Sequence, residues 1–550
     1  SYKFTPKNEI RFNFMYNKNV ESSGRFLSGS FPRDLPDDAI FQTRVLSFQE
    51  RTLQSYQLGG DHLFGGNRNG VRFEWNASIA NTEQDEPDLR FFSNDVLLRE
   101  REGVIDSVFA ISPSIYPVPT RFFRNLQDDS YQVNGSFVIP FDQLVGTRAR
   151  LKIGASYSEK DRKFSEREFQ FRQDAFRFNG DAAGFFQDEN LGIDPVRSTD
   201  TFFRFRNFLI DNTQRRSSYT GSQSITAGFG MLELNLLDRI RISGGIRVEA
   251  TDINVQSADT TIQKGVIDET DVLPSVNVVY ELRDNMNLRF AYGKTLARPT
   301  FREMSPFAAF NFVNSNIVVG NPELKRTTVN NFDVRWEWFV RPGEILAVSF
   351  FYKDFSNPIE QVFNPLAAAS NPEIQFQNVE NATVFGAEFE VRKRLDQIAQ
   401  PLRHFDLGFN LTLVQSSVDI AEGELALIRA LNPNAGSTRE LQGQAPFVIN
   451  ADLSYSNPDM GTNLSVFYNI FGKRMTAVSV GGTPNVFEFS RNQVDLIYEQ
   501  RLISELKAKF SVKNLLNEEF QKGHTFKGND FLVERFELGR SISLGVSYSF

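Results

Sequence analysis

A two-residue alternation of apolar and polar side chains, repeated along nearly the whole chain, restricts the fold more than any other feature. In residues 71–79, Val71, Phe73, Trp75, Ala77 and Ile79 alternate with Arg72, Glu74, Asn76 and Ser78, which gives a strand one apolar and one polar face. Ala149, Leu151, Ile153, Ala155 and Tyr157 stand in the same way against Arg150, Lys152, Ser156 and Ser158. Ile240, Ile242, Ile246 and Val248 oppose Arg239, Arg241, Arg247 and Glu249, and Phe332, Val334, Trp336 and Trp338 oppose Asn331, Asp333, Arg335 and Glu337. Leu506, Ala508, Phe510 and Val512 oppose Lys507, Lys509, Ser511 and Lys513, and the last strand carries Ile542, Leu544, Val546, Tyr548 and Phe550.

A soluble sandwich alternates too, so the connections decide the solvent. Short joins at 237–239, 283–287, 341–344, 457–462 and 500–504 alternate with long segments at 18–41, 82–129, 159–216, 297–327, 415–445 and 473–490. Short turns on one side and long loops on the other are the layout of an outer-membrane barrel. In lipid every backbone N–H and C=O needs a partner, so a sheet spans only as a closed cylinder. A lipid-facing Arg near the midplane costs about 2–4 kcal/mol, which turns the arginine-bearing face to a wet lumen. Arg241, Arg247, Arg289 and Arg335 are therefore expected to point inward. Tyr16, Tyr157, Tyr280, Tyr292, Tyr352, Tyr455 and Tyr548 fall at or near strand ends, where aromatic belts anchor a barrel.

Composition supports this reading by what it excludes. No apolar run approaches the roughly 18 residues of a membrane helix. Cysteine is absent, Asp and Glu outnumber Lys and Arg by 68 to 60, and no basic run offers a nucleic-acid surface. Phe, at 55 residues against 14 Tyr and 3 Trp, is a dominant strand former. The expected fold is all-β: one domain over residues 1–550, a transmembrane antiparallel up-and-down barrel. Its strands number eighteen: one at 7–17, eight pairs joined by short turns, and a last at 539–550. The pairs are 42–58 with 70–81, 130–140 with 147–159, 217–236 with 239–254, 271–282 with 286–296, 328–340 with 344–354, 375–394 with 404–415, 446–456 with 462–472, and 491–500 with 505–514.

From residue 271 onward an ordered set of phrases resembles the C-terminal barrel of TonB-dependent outer-membrane receptors, in a Phe-rich, Bacteroidetes-type style. They are LPSVNVVYEL (273–282), LRFAYGKTLARPTFREMSP (288–306), GNPELK (320–325), NATVFGAEFEV (381–391), LQGQAPFVINADLSY (441–455), SVKNLLNEEF (511–520) and GRSISLGVSYSF (539–550). Residues 1–270 fit as barrel strands with fewer such phrases. The resemblance implies active import of a bulky extracellular ligand of siderophore, glycan or peptide class. It implies energy from TonB with ExbB and ExbD, barrel-assembly machinery that reads the terminal Tyr548 and Phe550, and outer-membrane lipid as solvent. A surface lipoprotein is a further possible partner. Members of the family close about 22 strands around an N-terminal plug. Neither a plug nor a TonB-binding motif is read in residues 1–270, so both, with about four strands, are expected ahead of Ser1. The alternatives are a passive porin of about eighteen strands and a receptor or scaffold in a larger surface assembly.

Candidate chemistry is sparse, and no catalytic residue or cofactor is expected. His62 and His404 fall at short turns and His524 in a long loop, so no imidazole cluster is expected for metal or acid–base work. Acidic groups at Asp85, Glu86 and Asp88, and at Asp34, Asp37 and Asp38, could hold calcium in extracellular loops; solvated carboxylates are the plainer reading. Ligand contact is better sought where Phe and Arg alternate in long segments: Arg121, Phe122, Phe123 and Arg124; Phe203, Arg204 and Arg206; Arg302 and Phe310. Phe offers a stacking face and Arg a fork for carboxylate or phosphate. Loop-on-loop packing is the competing use of the same residues.

Overall fold

The computed structural model describes residues 2–30, 35–66, 70–101, 104–114, 116–143, 147–237, 239–310, 317–364 and 373–549. Its main sheet has 22 strands. Four of them, Tyr2–Thr5, Val104–Ala110, Asn207–Asp211 and Thr438–Arg439, are short flanking pieces, which leaves eighteen in the wall. In chain order these are β1 (Asn8–Gly29), β2 (Ala39–Phe64), β3 (Val71–Arg101), β4 (Thr120–Asp142), β5 (Arg148–Gln173) and β6 (Tyr219–Leu236). Then follow β7 (Ile240–Ser257), β8 (Gly265–Arg283), β9 (Met286–Ala297), β10 (Thr327–Trp338), β11 (Ile345–Ser356) and β12 (Asn381–Arg394). The wall ends with β13 (Phe405–Asp419), β14 (Phe447–Asn457), β15 (Thr462–Phe471), β16 (Asn492–Arg501), β17 (Leu506–Lys513) and β18 (Ser541–Tyr548). Each pairs antiparallel with the next. Among the described residues no pairing joins β1 to β18. Phe550 lies outside the described residues; Tyr548 ends β18, paired with Leu506.

Directly paired residues share a face of the sheet, so the register assigns the two faces. Arg241, Val279, Arg289, Arg335 and Ser349 form one cross-strand row, on the polar face with Arg247. The opposite face carries Ile242, Val278, Phe290, Val334 and Phe350 in the neighbouring row. Ion pairs knit the polar side: Arg289 Nε to Glu337 at 2.8 Å, Arg335 Nε to Glu337 at 3.1 Å, and Arg335 Nη2 to Glu390 at 2.8 Å. Phe290, Val334 and Phe350 are exposed, which only a lipid solvent makes favourable over so continuous a belt.

The first five strands depart from expectation in length. β1 to β5 run 22 to 31 residues, against the roughly 9–11 needed to cross a membrane. Much of 18–41, 82–129 and 159–216, expected as loop, is therefore strand. Irregularities between Leu46 and Glu50 on β2, and between Glu86 and Leu89 on β3, break the register there. A bulge moves the following side chains to the other face, which hides the strand from a simple alternation count. Expected strand 375–394 is also two pieces, Glu373–Asn378 and β12.

Loops after β9, β11, β15 and β17 contribute to a second, eight-stranded sheet. The helices are short: α1 (Ala182–Phe185), α2 (Phe301–Met304) and α3 (Glu422–Leu431). β9 stops at Ala297, before Arg298-Pro299, as a proline without a ladder donor requires. Gly320 of the GNP turn passes so close to the Ser305 carbonyl that a Cβ there would collide with it. Asn514 and Asn517, both at positive φ, turn the chain after β17.

Candidate functional site

Along β7 the meaning of the alternation reverses. Ile246, 55% exposed, sits on the apolar outer face; six residues on, Asp252, Asn254 and Gln256 occupy that same face. The inner face changes in the opposite sense, from Arg241, Arg247 and Glu249 to Ile253 and Val255, each 1% exposed. Neighbouring strands repeat this, with Ser222 and Asp268 outward and Tyr219 and Ile267 inward. Above the membrane the outside meets water and the inside meets protein, so burial favours apolar side chains inward.

The inward protein is the loop after β9. Its helix α2 begins at Thr300, whose hydroxyl caps Glu303 N–H while Glu303 returns the bond to Thr300 N–H. This turn sets Phe301 and Met304 into a buried cluster with Tyr219, Ile253, Val255, Ile267, Phe307 and Leu324. Gly221 makes room: a Cβ there would stand 2.7 Å from the Phe301 ring. Arg162 and Lys160 of β5 lie 5.6 and 6.0 Å from that ring's centre, and Arg162 Nε donates to Asp128 at 2.8 Å.

Beside this cap is a cavity of about 240 Å³, lined among others by Phe122, Arg124, Glu166, Glu168, Arg216 and Ile317. Arg124 donates through Nε to Glu166 (2.6 Å) and through Nη1 to Glu86 (3.2 Å), and its guanidinium lies 5.1 Å from the Phe122 ring centre. Its Nη2 is buried without a hydrogen-bond partner. Burial pushes the Glu166 carboxyl above its ordinary value against the pull of Arg124. Arg302 donates to the carbonyls of Phe307 (2.9 Å) and Val318 (2.8 Å), and burial draws its guanidinium below the usual arginine value. Arg124 and Glu166 act on Arg302 electrostatically. The cavity itself is lined by two cations, Arg124 and Arg216, and two carboxylates, Glu166 and Glu168, with an aromatic wall and one unspent donor on Arg124.

The structure divides the sequence candidates between the two faces. Phe122 and Arg124 face inward and line the cavity, while Arg302 bonds the carbonyls of its own loop. Arg121 and Phe123, expected with them on a loop, lie on strand β4 and face outward: Arg121 holds Asp88 at 2.7 and 2.9 Å, and Phe123 meets Phe169 edge-on at 5.7 Å. Phe203, Arg204 and Arg206 ride a loop whose Phe178 and Phe185 pack on Phe92 and Phe171 of the outer wall. Arg204 pairs with Asp174 at 2.9 Å and Arg206 donates to Glu189 O at 2.5 Å. Phe310 ends the short strand Ala308–Phe310, and its side chain lies outside the described set. Glu86 and Asp88, considered for calcium, are ion-paired with arginines; Asp34 lies outside the described residues. His62 belongs to β2 rather than to a turn, and its ring meets Asn8 and Trp75. Glu166, Arg162 and Asp128 were missed. The signal was present: Lys160, Arg162, Glu166 and Glu168 continue the even-numbered polar set of β5.

Fold and belt together define a transmembrane β-barrel. Residues 5–515 match the family model for the TonB dependent receptor-like β-barrel, and the chain belongs to that family. Among solved structures it is similar to the copper transporter OprC, with a TM-score of 0.53 and 11% identity over 99% of this chain and 80% of that one. It is also similar to the ferric-catecholate import receptor Fiu from K12 E. coli, with a TM-score of 0.51 and 9% identity over 99% of this chain and 81% of that one. At such identities the likeness is one of fold. No curated protein matches the chain. Family membership makes it an integral β-barrel of the outer membrane, in a family of transporters and receptors that implies TonB-based energy coupling.

Proposed function

We propose that the chain forms the barrel of a TonB-energised importer whose mouth receives a bulky ligand bearing anionic groups and rings, of siderophore, glycan or peptide class. The observation that carries this reading is the inward cavity lined by Phe122, Arg216 and Arg124, whose Nη2 has no hydrogen-bond partner. A guanidinium donor aimed into a half-closed space favours a carboxylate or phosphate oxygen, and the ring supplies a stacking face. TonB with ExbB–ExbD would supply the energy, and a surface lipoprotein would present large ligands.

The test is accumulation of a panel of labelled anionic siderophores, oligopeptides and glycans in cells carrying the complete gene product, with and without TonB. Uptake of at least one that needs TonB and falls roughly tenfold or more in Arg124→Gln is expected. Equal uptake without TonB would sink the importer and favour passive passage. TonB-dependent uptake untouched by Arg124→Gln would retain the importer and remove this cavity from its path.

A further inference from the structure

We propose that the outer wall carries a second binding site, independent of the import route, for a phosphorylated sugar, in the cleft between the upper parts of β1, β2 and β3 and helix α1. The cleft encloses about 590 Å³, within the range of small-ligand sites. Its face follows from the register. On β1 the even-numbered residues run without a break from Phe14, in the membrane belt, to Gly24 and Phe26. Phe26 pairs with Arg44 and Arg44 with Phe92, while Gly24 pairs with Leu46 and Leu46 with Arg90. These residues therefore look outward, away from the lumen and from Arg124.

The cleft combines an arginine without a carboxylate partner and an exposed ring, Phe26. Arg44 donates through Nη1 to Asn94 Oδ1 at 2.8 Å and through Nη2 to Gln42 Oε1 at 3.1 Å, both neutral amides, and lies 4.8 Å from the Phe26 ring centre. Among the described residues Arg44 has no carboxylate in ion-pair range. Burial lowers the Arg44 guanidinium from its ordinary value, so an arriving anion would relieve a cost already present in the fold. On the outward face the lining holds two arginines, Arg44 and Arg90, against one acid, Asp181; Arg25 pairs with Val45 of the inner cluster and belongs to the other face. Arg90 pairs with Asp88, but that carboxylate is shared with Arg121. The fork of Arg44, bonded only to neutral amides, fits the oxygens of a phosphate monoester, whose charge of about −1.5 to −2 at neutral pH would supply the missing counter-charge. Phe26, 55% exposed, and Phe186 supply apolar platforms for the C–H face of a sugar ring. Phosphate and sugar together satisfy both halves of the cleft.

Glucose-1-phosphate, glucose and inorganic phosphate would be titrated calorimetrically into the full chain in detergent micelles, with assembly of every variant checked by heat-modifiability. Glucose-1-phosphate is expected to bind at least about tenfold more tightly than either fragment, with a roughly tenfold loss in Arg44→Gln and a several-fold loss in Phe26→Ala. Arg283→Gln, at a periplasmic turn, should leave it unchanged. Competition by a phosphorylated lipopolysaccharide core oligosaccharide, and none by its dephosphorylated form, would assign the membrane's own glycan as the source; competition by neither would assign a soluble sugar phosphate. No binding of glucose-1-phosphate to a well-assembled protein, or binding equal in wild type and Arg44→Gln, would overturn the site.

Discussion

The lower and upper halves of β7 are one strand in one register, yet they obey opposite rules. Below Glu249 the outward residues are apolar and the inward ones charged; above it Asp252 and Asn254 face out while Ile253 and Val255 are buried. Backbone geometry is the same in both halves. The solvent on each side differs, and this decides which parity is apolar. A strand that leaves lipid for water keeps its period and inverts its sign.

Four substitutions would break or sharpen this contrast. Phe301→Ala should have the largest effect, because it empties the centre of the upper inner cluster at a cost of about 3–5 kcal/mol if the site does not collapse. Limited proteolysis should find residues 298–326 released while heat-modifiability of the barrel is retained. Ile246→Arg, on the lower outer face, should cost about 2–4 kcal/mol near mid-bilayer and reduce assembled barrel. Asn254→Arg, on the same face of the same strand above the boundary, should assemble normally. Removing the α2 cap with Thr300→Ala should cost about 1 kcal/mol, seen as a modest rise in proteolysis of the same loop.

A pH effect is expected in the upper wall. Burial raises the Asp128 carboxyl, but hydrogen bonds and charge from Arg162 and Lys160 outweigh it and hold the group below its ordinary 3.8. A depressed folded value adds stability above the unfolded one, and that stability is lost as pH falls through the folded value. Hydrogen-exchange protection of the upper β4–β5 ladder should therefore decline below 3.8. Asp128→Asn should remove this dependence; an unchanged acid profile in that variant would assign it to other groups.

The lower wall was legible because lipid imposes one rule on every strand, apolar outward, and the eighteen strands and their short turns follow from it. The upper wall was not, for two reasons visible in β3. After Asp85 a bulge shifts parity, and Leu89 and Phe91 then face inward where an apolar residue reads as lipid-facing. Of the candidate residues, Phe122 and Arg124 were legible as Phe–Arg chemistry and line one cavity, whereas Arg302 is spent on carbonyls of its own loop. Arg121 and Phe123 carry the same chemistry but alternate to the outer face, a distinction that requires recognising 120–129 as strand. Glu166 was passed over as one charge among many, although its even position on β5 already placed it beside Arg124.

The chain has no cysteine, so the boundary can be read with single introduced thiols. Ile246→Cys, Val248→Cys, Asp252→Cys, Asn254→Cys and Gln256→Cys place a spin label at successive heights on the outer face of β7, and relaxation by oxygen against a water-soluble nickel chelate reports lipid or water. The expected result is oxygen-dominated relaxation at 246 and 248 and chelate-dominated relaxation at 252, 254 and 256. One environment at all five positions, or water at 246 and 248, would contradict a membrane belt that ends at Glu249.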